Sequence, residues 1–428
     1  MDNVTHALAG LLLAEAVLGT LEARGERVSP SFRRRAWFVS ALTNNLPDFD
    51  FLYTGITEGK LGYLLHHRGH THTVGAALVF GAVTFLVVDA LARRRRRRVE
   101  RTDEEPRVPV ERGVMLALSF AGGLVHIGMD FCNNYGVHPF WPVVDAWFYG
   151  DSIFIIEPWF VVFTVPPLYF ASRKLWAKAL LGAILAVFVG LAWLLPLAGI
   201  VTASVLSGGA VVWFWWCSRV RTGQRAVQSL VGSLAVLFVF AAAGRIARAR
   251  VLESQADIAK LDAVLTPAPS NPLCWSAIIA GERGARYELR VLTLSLAPDL
   301  VPPEACRFEP SGRSLPESTE RFGDATRDPS APAGRTPPGL RQELAWNAPL
   351  AELRSLYASN CQAAAFLRYS RVPFWFAKSR TELYLGDLRY DREPDEEFAE
   401  LEVEAKPSRC PRFVPPWRPP RHDILESR

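Results

Sequence analysis

Four of the eight histidines in the chain fall within His66-His67-Arg68-Gly69-His70-Thr71-His72-Thr73. Neutral imidazole is the commonest protein ligand for metals near neutral pH, so this octet can present a metal site. The plain alternative is a polar loop rich in histidine. His67 and His72 cannot share one helical face, which implies a loop or the start of a helix. Arg68 carries the planar fork that matches a phosphate or carboxylate; it equally suits a snorkelling or headgroup-binding arginine. A second stretch, His126-Ile127-Gly128-Met129-Asp130, sets an imidazole and a carboxylate at i, i+4, on one side of a helix. The two can ligate one ion, or two if the carboxylate bridges; the alternative is a hydrogen-bonded pair that stabilises helix packing. A third, Asn44-Asn45-Leu46-Pro47-Asp48-Phe49-Asp50, places two carboxylates just after a proline that interrupts a helix. Asp48 and Asp50 can bind metal or take a proton from an activated water, or they form an ordinary turn.

The elements that must position these residues are apolar. Half of the 428 residues are hydrophobic and 21% are charged, with a mean hydropathy of +0.10, as expected if the two kinds are segregated. Apolar runs cover residues 4–21, 36–53, 74–92, 113–131, 153–171, 175–195, 197–217 and 226–247, and then stop. Several approach the ~20 residues a helix needs to cross a bilayer. The first run contains His6 and Glu15, and the second ends in the Asn44–Asp50 stretch; both are expected to pack within the bundle or insert halfway. No basic region precedes the first run, so no cleavable secretory signal is read there. The net charge of +5 does not indicate a nucleic-acid partner, because the arginines cluster between apolar runs as membrane-flanking charge does.

Alternate connections are basic: Arg24, Arg27 and Arg33-Arg34-Arg35; Arg93 to Arg98 with Arg101, Arg107 and Arg112; Arg173 and Lys174; and Arg219, Arg221 and Arg225. Cytoplasmic loops are enriched in such residues, so eight crossings with both ends outside are expected. His6, Asp48, Asp50, the octet, His126 and Asp130 then gather at the outer face, opposite the arginines. Residues 248–428 differ in kind. A proline-rich stretch, 298–349, reads as a loop or linker, and residues 287–296, 366–376, 382–390 and 398–403 read as strands. This predicts a small extracytoplasmic α+β domain. Its four cysteines, Cys274, Cys306, Cys361 and Cys410, form an even set that can make disulfides in an oxidising compartment or stay unpaired; the pairing is not readable. The predicted organisation is therefore a mainly α, multi-pass helix bundle with its metal-site helices in residues 1–171, further transmembrane helices in 172–247, and the outer domain in 248–428.

Asp2-Asn3-Val4-Thr5-His6-Ala7-Leu8-Ala9-Gly10, Leu46-Pro47-Asp48-Phe49-Asp50, His67-Arg68-Gly69-His70-Thr71-His72-Thr73 and His126-Ile127-Gly128-Met129-Asp130 occur in that order. Together they resemble the motifs of the YdjM-like family, described as inner membrane-bound, metal-dependent hydrolases, with a LexA-binding label attached to some members. Asn134-Tyr135-Gly136-Val137-His138-Pro139-Phe140-Trp141-Pro142, and Tyr149-Gly150-Asp151-Ser152 through Glu157-Pro158, extend the likeness over roughly the first 170 residues. A weaker likeness is to zinc-dependent phospholipase C and related nucleases. It implies His6, His67, His126 and Asp130 as zinc ligands and Asp48 as ligand or base. No second downstream HxxxE or HxxxD motif is present, and His138 and Glu157 are the nearby substitutes, so one or two ions are expected rather than three.

The resemblance singles out His67 and His72 from the octet and leaves His66 and His70 as supporting residues. The combined expectation is a divalent metal, Zn²⁺ ahead of Mn²⁺ or Fe, held by His6, Asp48, His67, His72, His126 and Asp130. Asp48 or Asp50 would deprotonate water and Arg68 would hold an anionic group. The substrate would be an ester or phosphoester, membrane-associated or small, with membrane lipids as partners. The rival expectation is a non-catalytic membrane protein whose ion staples helix ends and whose outer domain binds a partner.

Overall fold

A computed structural model of the chain describes residues 1–54, 56–57, 59–99, 108–195, 199–306, 337–377, 379–390 and 398–426. Helix α1 (Asn3–Ala23) is followed by α2 (Pro30–Thr43), a 3-10 turn at Leu46–Asp50, α3 (Phe51–Thr54) and α4 (Gly59–His66). A second 3-10 turn at His70–His72 leads into α5 (Val74–Val99), α6 (Val108–Phe131), α7 (Pro158–Ala171), α8 (Leu175–Leu194), α9 (Gly199–Arg219) and α10 (Thr222–Ser254). Six of these helices, α1, α5, α6, α8, α9 and α10, are long and apolar enough to cross a membrane. The runs at 36–53 and 153–171 do not form full spans: α2 and α7 are 14 residues each, about 21 Å at ~1.5 Å per residue, short of the ~30 Å hydrocarbon thickness. In both cases the apolar run continues past the helix. Asn44 caps the end of α2 before Pro47, and α7 starts only at Pro158, after a Glu157 cap.

The bundle has two chemically distinct ends. At one, Arg35 of α2 donates to Glu111 of α6 and Arg112 pairs with Asp89 of α5. At the other, the start of α1, the end of α2, the start of α5 and the end of α6 come together. Close packing makes this convergence possible. A Cβ at Gly122 of α6 would sit 2.1 Å from the Thr43 hydroxyl of α2 and 2.9 Å from the Asn44 nitrogen, so only glycine lets the two helix ends approach.

Beyond α10 the chain is mixed. Strands β1 (Ala259–Ala268), β2 (Asn271–Arg283), β3 (Arg286–Ser295) and β4 (Leu340–Pro349) form an antiparallel meander in that order. β5 (Pro373–Ala377), β6 (Glu382–Asp387) and β7 (Glu400–Glu404) form a second one. Short helices at Leu350–Ser359 and Cys361–Phe366 connect the sheets. Disulfides join Cys274 to Cys306 and Cys361 to Cys410.

Several expectations change here. β1, β2 and β4 were not anticipated, and the stretch 366–376 begins as a helix end and becomes strand only at Pro373. β2 packs Trp275, Ala277 and Ile279 against the end of α10, while Ile278 and Ala280 face a second core. With both faces buried the strand shows no polar/apolar alternation. β4 occupies the last part of the proline-rich stretch read as a linker, of which residues 307–336 lie outside the described residues. Finally, α10 runs unbroken through residue 248 to Ser254, so the β-rich unit grows directly from a bundle helix.

That unit shares a core with the histidine-bearing end of the bundle. Leu61, Leu64 and Leu65 of α4, with Tyr135 and Trp147 after α6, cluster with Trp346, Tyr369, Phe374 and Trp417. The Trp417 indole N–H donates to the Leu65 carbonyl at 2.7 Å. The β-rich unit therefore lies directly over the histidine octet.

Candidate metal centre

The four groups that meet most closely are Asp48, His72, His126 and Asp130, each offering one donor atom, all within 4.8 Å of one another. Asp48 comes from the 3-10 turn after α2, His72 from the turn before α5, and His126 and Asp130 from one face of α6 near its end. The Nε2 atoms of His72 and His126 stand 3.1 Å apart. Asp48 Oδ1 is 3.3 Å from the first and 3.5 Å from the second. Asp130 Oδ2 is 3.2 Å and 3.4 Å from the same two nitrogens. A tetrahedral ion with ligands at about 2.0–2.1 Å sets its donors about 3.3–3.4 Å apart, so these separations suit a single small divalent cation.

The donor chemistry fits as well. His126 Nδ1 lies 2.8 Å from the Asn44 carbonyl; a carbonyl only accepts, so Nδ1 carries the proton and Nε2 turns its lone pair to the centre. His72 Nδ1 is 3.1 Å from the Thr71 hydroxyl and 3.5 Å from Asp50 Oδ2, the carboxylate–imidazole arrangement that orients metal-binding histidines. Asp130 Oδ2 is buried without a hydrogen-bond donor, a costly state for a carboxylate oxygen unless a cation meets it. His72, His126 and Asp130 have no exposed surface, and Asp48 keeps 7%. Asp48 lies outside the six spans. As a metal ligand its carboxylate would be ionised, the form that ligation needs.

The other residues singled out from the sequence surround this group without joining it. His6 stacks on His126 with ring centroids 3.8 Å apart, and its Nε2 is 3.2 Å from Asp130 Oδ1. Arg68 Nη2 reaches the same oxygen at 3.0 Å and Nη1 donates to the Asn133 side chain at 2.8 Å; the Met1 ammonium also meets Asp130. The Arg68 guanidinium is thus buried against Asp130. Asp50 accepts from the Arg68 backbone N–H at 2.9 Å and from Thr71 Oγ1 at 3.2 Å, and lies 3.1 Å from His67 Nδ1. It holds the octet's fold. Burial lowers the His67 pKa more than Asp50 raises it, so this imidazole is neutral.

Arg68 sits at φ 59°, in the left-handed region that side-chain-bearing residues seldom adopt. That turn sends His67 to Asp50 and His72 to the cluster. At Gly69 a Cβ would lie 2.8 Å from the His66 carbonyl and 3.0 Å from the Trp417 ring, so glycine is needed for the β-rich unit to close over the turn. His66 Nε2 meets the Phe413 carbonyl at 2.9 Å, and His70 lies between Trp141 and Trp417. His138 stacks on Trp417 at 3.9 Å. Glu157 accepts from the backbone N–H groups of Trp159 and Ser270. Neither of these two belongs to the cluster.

Asn44 and Asn133 went unrecognised as contributors. Asn44 donates from its side chain to the His6 carbonyl and accepts from His126 through its own. The available signal was a buried-type helix end, an Asn pair just before Leu46-Pro47-Asp48.

Taken together, the apolar helices and the buried His/Asp group define a multi-pass membrane protein with a site able to hold a metal ion. Residues 1–199 match the model of the YdjM inner membrane protein family, the family the motifs resemble. The matched stretch is just under half of the chain and contains every cluster residue. No curated protein and no solved structure shows significant similarity to the chain.

Proposed function

We propose that this protein is a metal-dependent hydrolase that cleaves an ester or phosphoester at the membrane surface. The observation that carries this is the donor set: two imidazoles and two carboxylates, with no thiolate, converging at tetrahedral spacing. Structural zinc sites are mostly built from cysteine, whereas catalytic ones use histidine and carboxylate. A divalent ion, Zn²⁺ by this donor set, would supply Lewis acidity and acidify a water. Asp48, the one cluster member with exposed surface, is the carboxylate placed to give up its position and accept a proton. Asp50, His6 and Arg68 orient and charge-balance the others. The outer face of the membrane is supported by the arginine-rich connections on the opposite end and by the two disulfides of the overlying unit, which suit an oxidising compartment. Exposed Phe49, Phe51 and Leu52 beside Asp48 suit a membrane-associated or lipid substrate.

One observation favours the second reading, a structural staple: four protein donors close the coordination sphere and the β-rich unit covers it. Turnover of p-nitrophenyl esters, phosphomonoesters, phosphodiesters and phospholipids by the metal-loaded protein separates the two. For a hydrolase, one class is turned over, chelation abolishes it, and Asp48→Asn lowers it by about 10²–10⁴-fold, the range for loss of a general base. Full metal occupancy with no turnover of any class, and a melting temperature that falls on chelation, would establish the staple instead.

A further inference from the structure

A cavity of about 330 Å³ opens at the basic end of the bundle, between α2 and the last turns of α5. Ser31, Arg34 and Arg35 line one part, and Phe38, Val88 and Leu91 another. The polar and apolar parts are ordered along the helices. Val88 and Leu91 belong to the final turns of the apolar stretch Val74–Arg94, where a membrane-spanning helix passes from hydrocarbon to headgroups. Phe38 and Leu91 are 64% and 58% exposed, so the apolar wall faces outward, towards lipid.

The charges around this groove are unequally committed. Arg35 donates to Glu111 at 2.5 Å. Asp89 is met by Arg93 at 2.9 Å and by Arg112 at 3.2 Å. Among the described residues, three guanidinium groups of this rim, Arg35, Arg93 and Arg112, share two carboxylates. Arg34, exposed on the groove lip, has no ion-pair partner among the described residues. Basic pockets between transmembrane helices are suited to anionic headgroups.

We propose that this groove is a binding site for an anionic phospholipid of the adjoining leaflet. Arg34 and Arg35 hold the phosphate and an acyl chain runs along Phe38 and Leu91. The site is separate from the His/Asp centre, at the opposite end of the bundle.

Native mass spectrometry of the full-length detergent-purified protein tests this, with phosphatidylglycerol, phosphatidylcholine and soluble glycerol phosphate as probes. Phosphatidylglycerol should be retained at least about fivefold over phosphatidylcholine, the factor one basic contact to an anionic lipid supplies. Arg34→Glu should remove that preference and Arg34→Gln should reduce it. Arg34→Lys should keep it, and Arg27→Glu, a reversal at an exposed loop arginine outside the groove, should leave it within about twofold. Equal losses in Arg27→Glu and Arg34→Glu would show diffuse surface attraction and overturn the proposal. So would unchanged retention in Arg34→Glu, or glycerol phosphate binding as tightly as the lipid.

Discussion

Asp130→Ala should abolish high-affinity metal binding and destabilise the histidine-bearing end of the bundle in the same step. Asp130 works through both oxygens: Oδ2 faces the two cluster imidazoles, while Oδ1 meets His6 and Arg68. Removing the carboxylate deletes a donor and leaves the buried Arg68 guanidinium without its counter-charge, a loss of about 3–5 kcal/mol when one partner of a buried pair is deleted. Asp50→Asn provides the graded comparison, because Asp50 touches the His72 ring but supplies no cluster donor. Loss of such a supporting partner costs about 10–100-fold in metal affinity, and Asp130→Ala should exceed that. Competition titration with a chromophoric chelator measures both. Equal affinities in the two variants would mean that Asp130 is not a ligand.

The second large effect is expected at Arg371. Its guanidinium is bidentate on Asp151, at 2.8 and 2.9 Å, and also meets Asp262 at 2.7 and 3.0 Å. Asp151 lies in the connection between α6 and α7 and Asp262 in β1, so one side chain ties the β-rich unit to the loop leaving the candidate metal helix. Arg371→Met leaves two carboxylates facing one another with Arg248 as the nearest remaining cation, 3.8 and 3.7 Å away. A destabilisation of about 3–5 kcal/mol follows, readable as earlier protease cleavage of residues 259–426 in a urea series. A wild-type cleavage midpoint in Arg371→Met would refute the coupling.

The same pair sets a pH window. Burial alone would raise the Asp262 pKa, but the charge of Arg371 outweighs it and holds the carboxyl below its ordinary range. A carboxylate with a depressed folded-state pKa stabilises at pH above its unfolded value of ~3.9, and that contribution disappears as pH falls through the folded value. The Asp262 contribution should hold across neutral pH and fade only in acid below about pH 4, whereas Asp151, whose carboxyl burial pushes up despite Arg371, takes up its proton first.

What could be read from the chain depended on how rigidly local geometry follows from sequence. His126 and Asp130 sit on one helix four residues apart, and helical geometry alone brings them to one face. Asp48 follows a proline that ends its helix, which placed it in a turn at the same end. The octet was another matter. Its histidines are distributed by a left-handed residue at Arg68, a backbone state that sequence does not reveal at a non-glycine position. His67 therefore turns to Asp50 and His72 to the cluster. Arg68, expected to face a substrate anion, instead lies against Asp130. His6 stops one layer out, stacked on His126.

The fold shows the same division. Long apolar runs announced six membrane helices, while the 14-residue α2 and α7 were over-read because the apolar composition outlasts the helix. β3, β6 and β7 were visible from their aromatic and branched residues, whereas β4 lay in the end of the stretch read as a proline-rich linker. β1 and β2 were hidden, since a strand covered on both sides, by α10 and by the aromatic core around Tyr287 and Trp346, loses the periodicity that marks it.

The most direct test of a His/Asp metal centre is X-ray absorption spectroscopy on the purified protein, combined with elemental analysis. The expected result is one divalent ion per chain with four nitrogen or oxygen neighbours at about 2.0–2.1 Å, two of them showing the outer-sphere scattering of imidazole, and loss of the ion in both His126→Ala and Asp130→Ala. A sulfur neighbour, or a metal content unchanged in both variants, would contradict it.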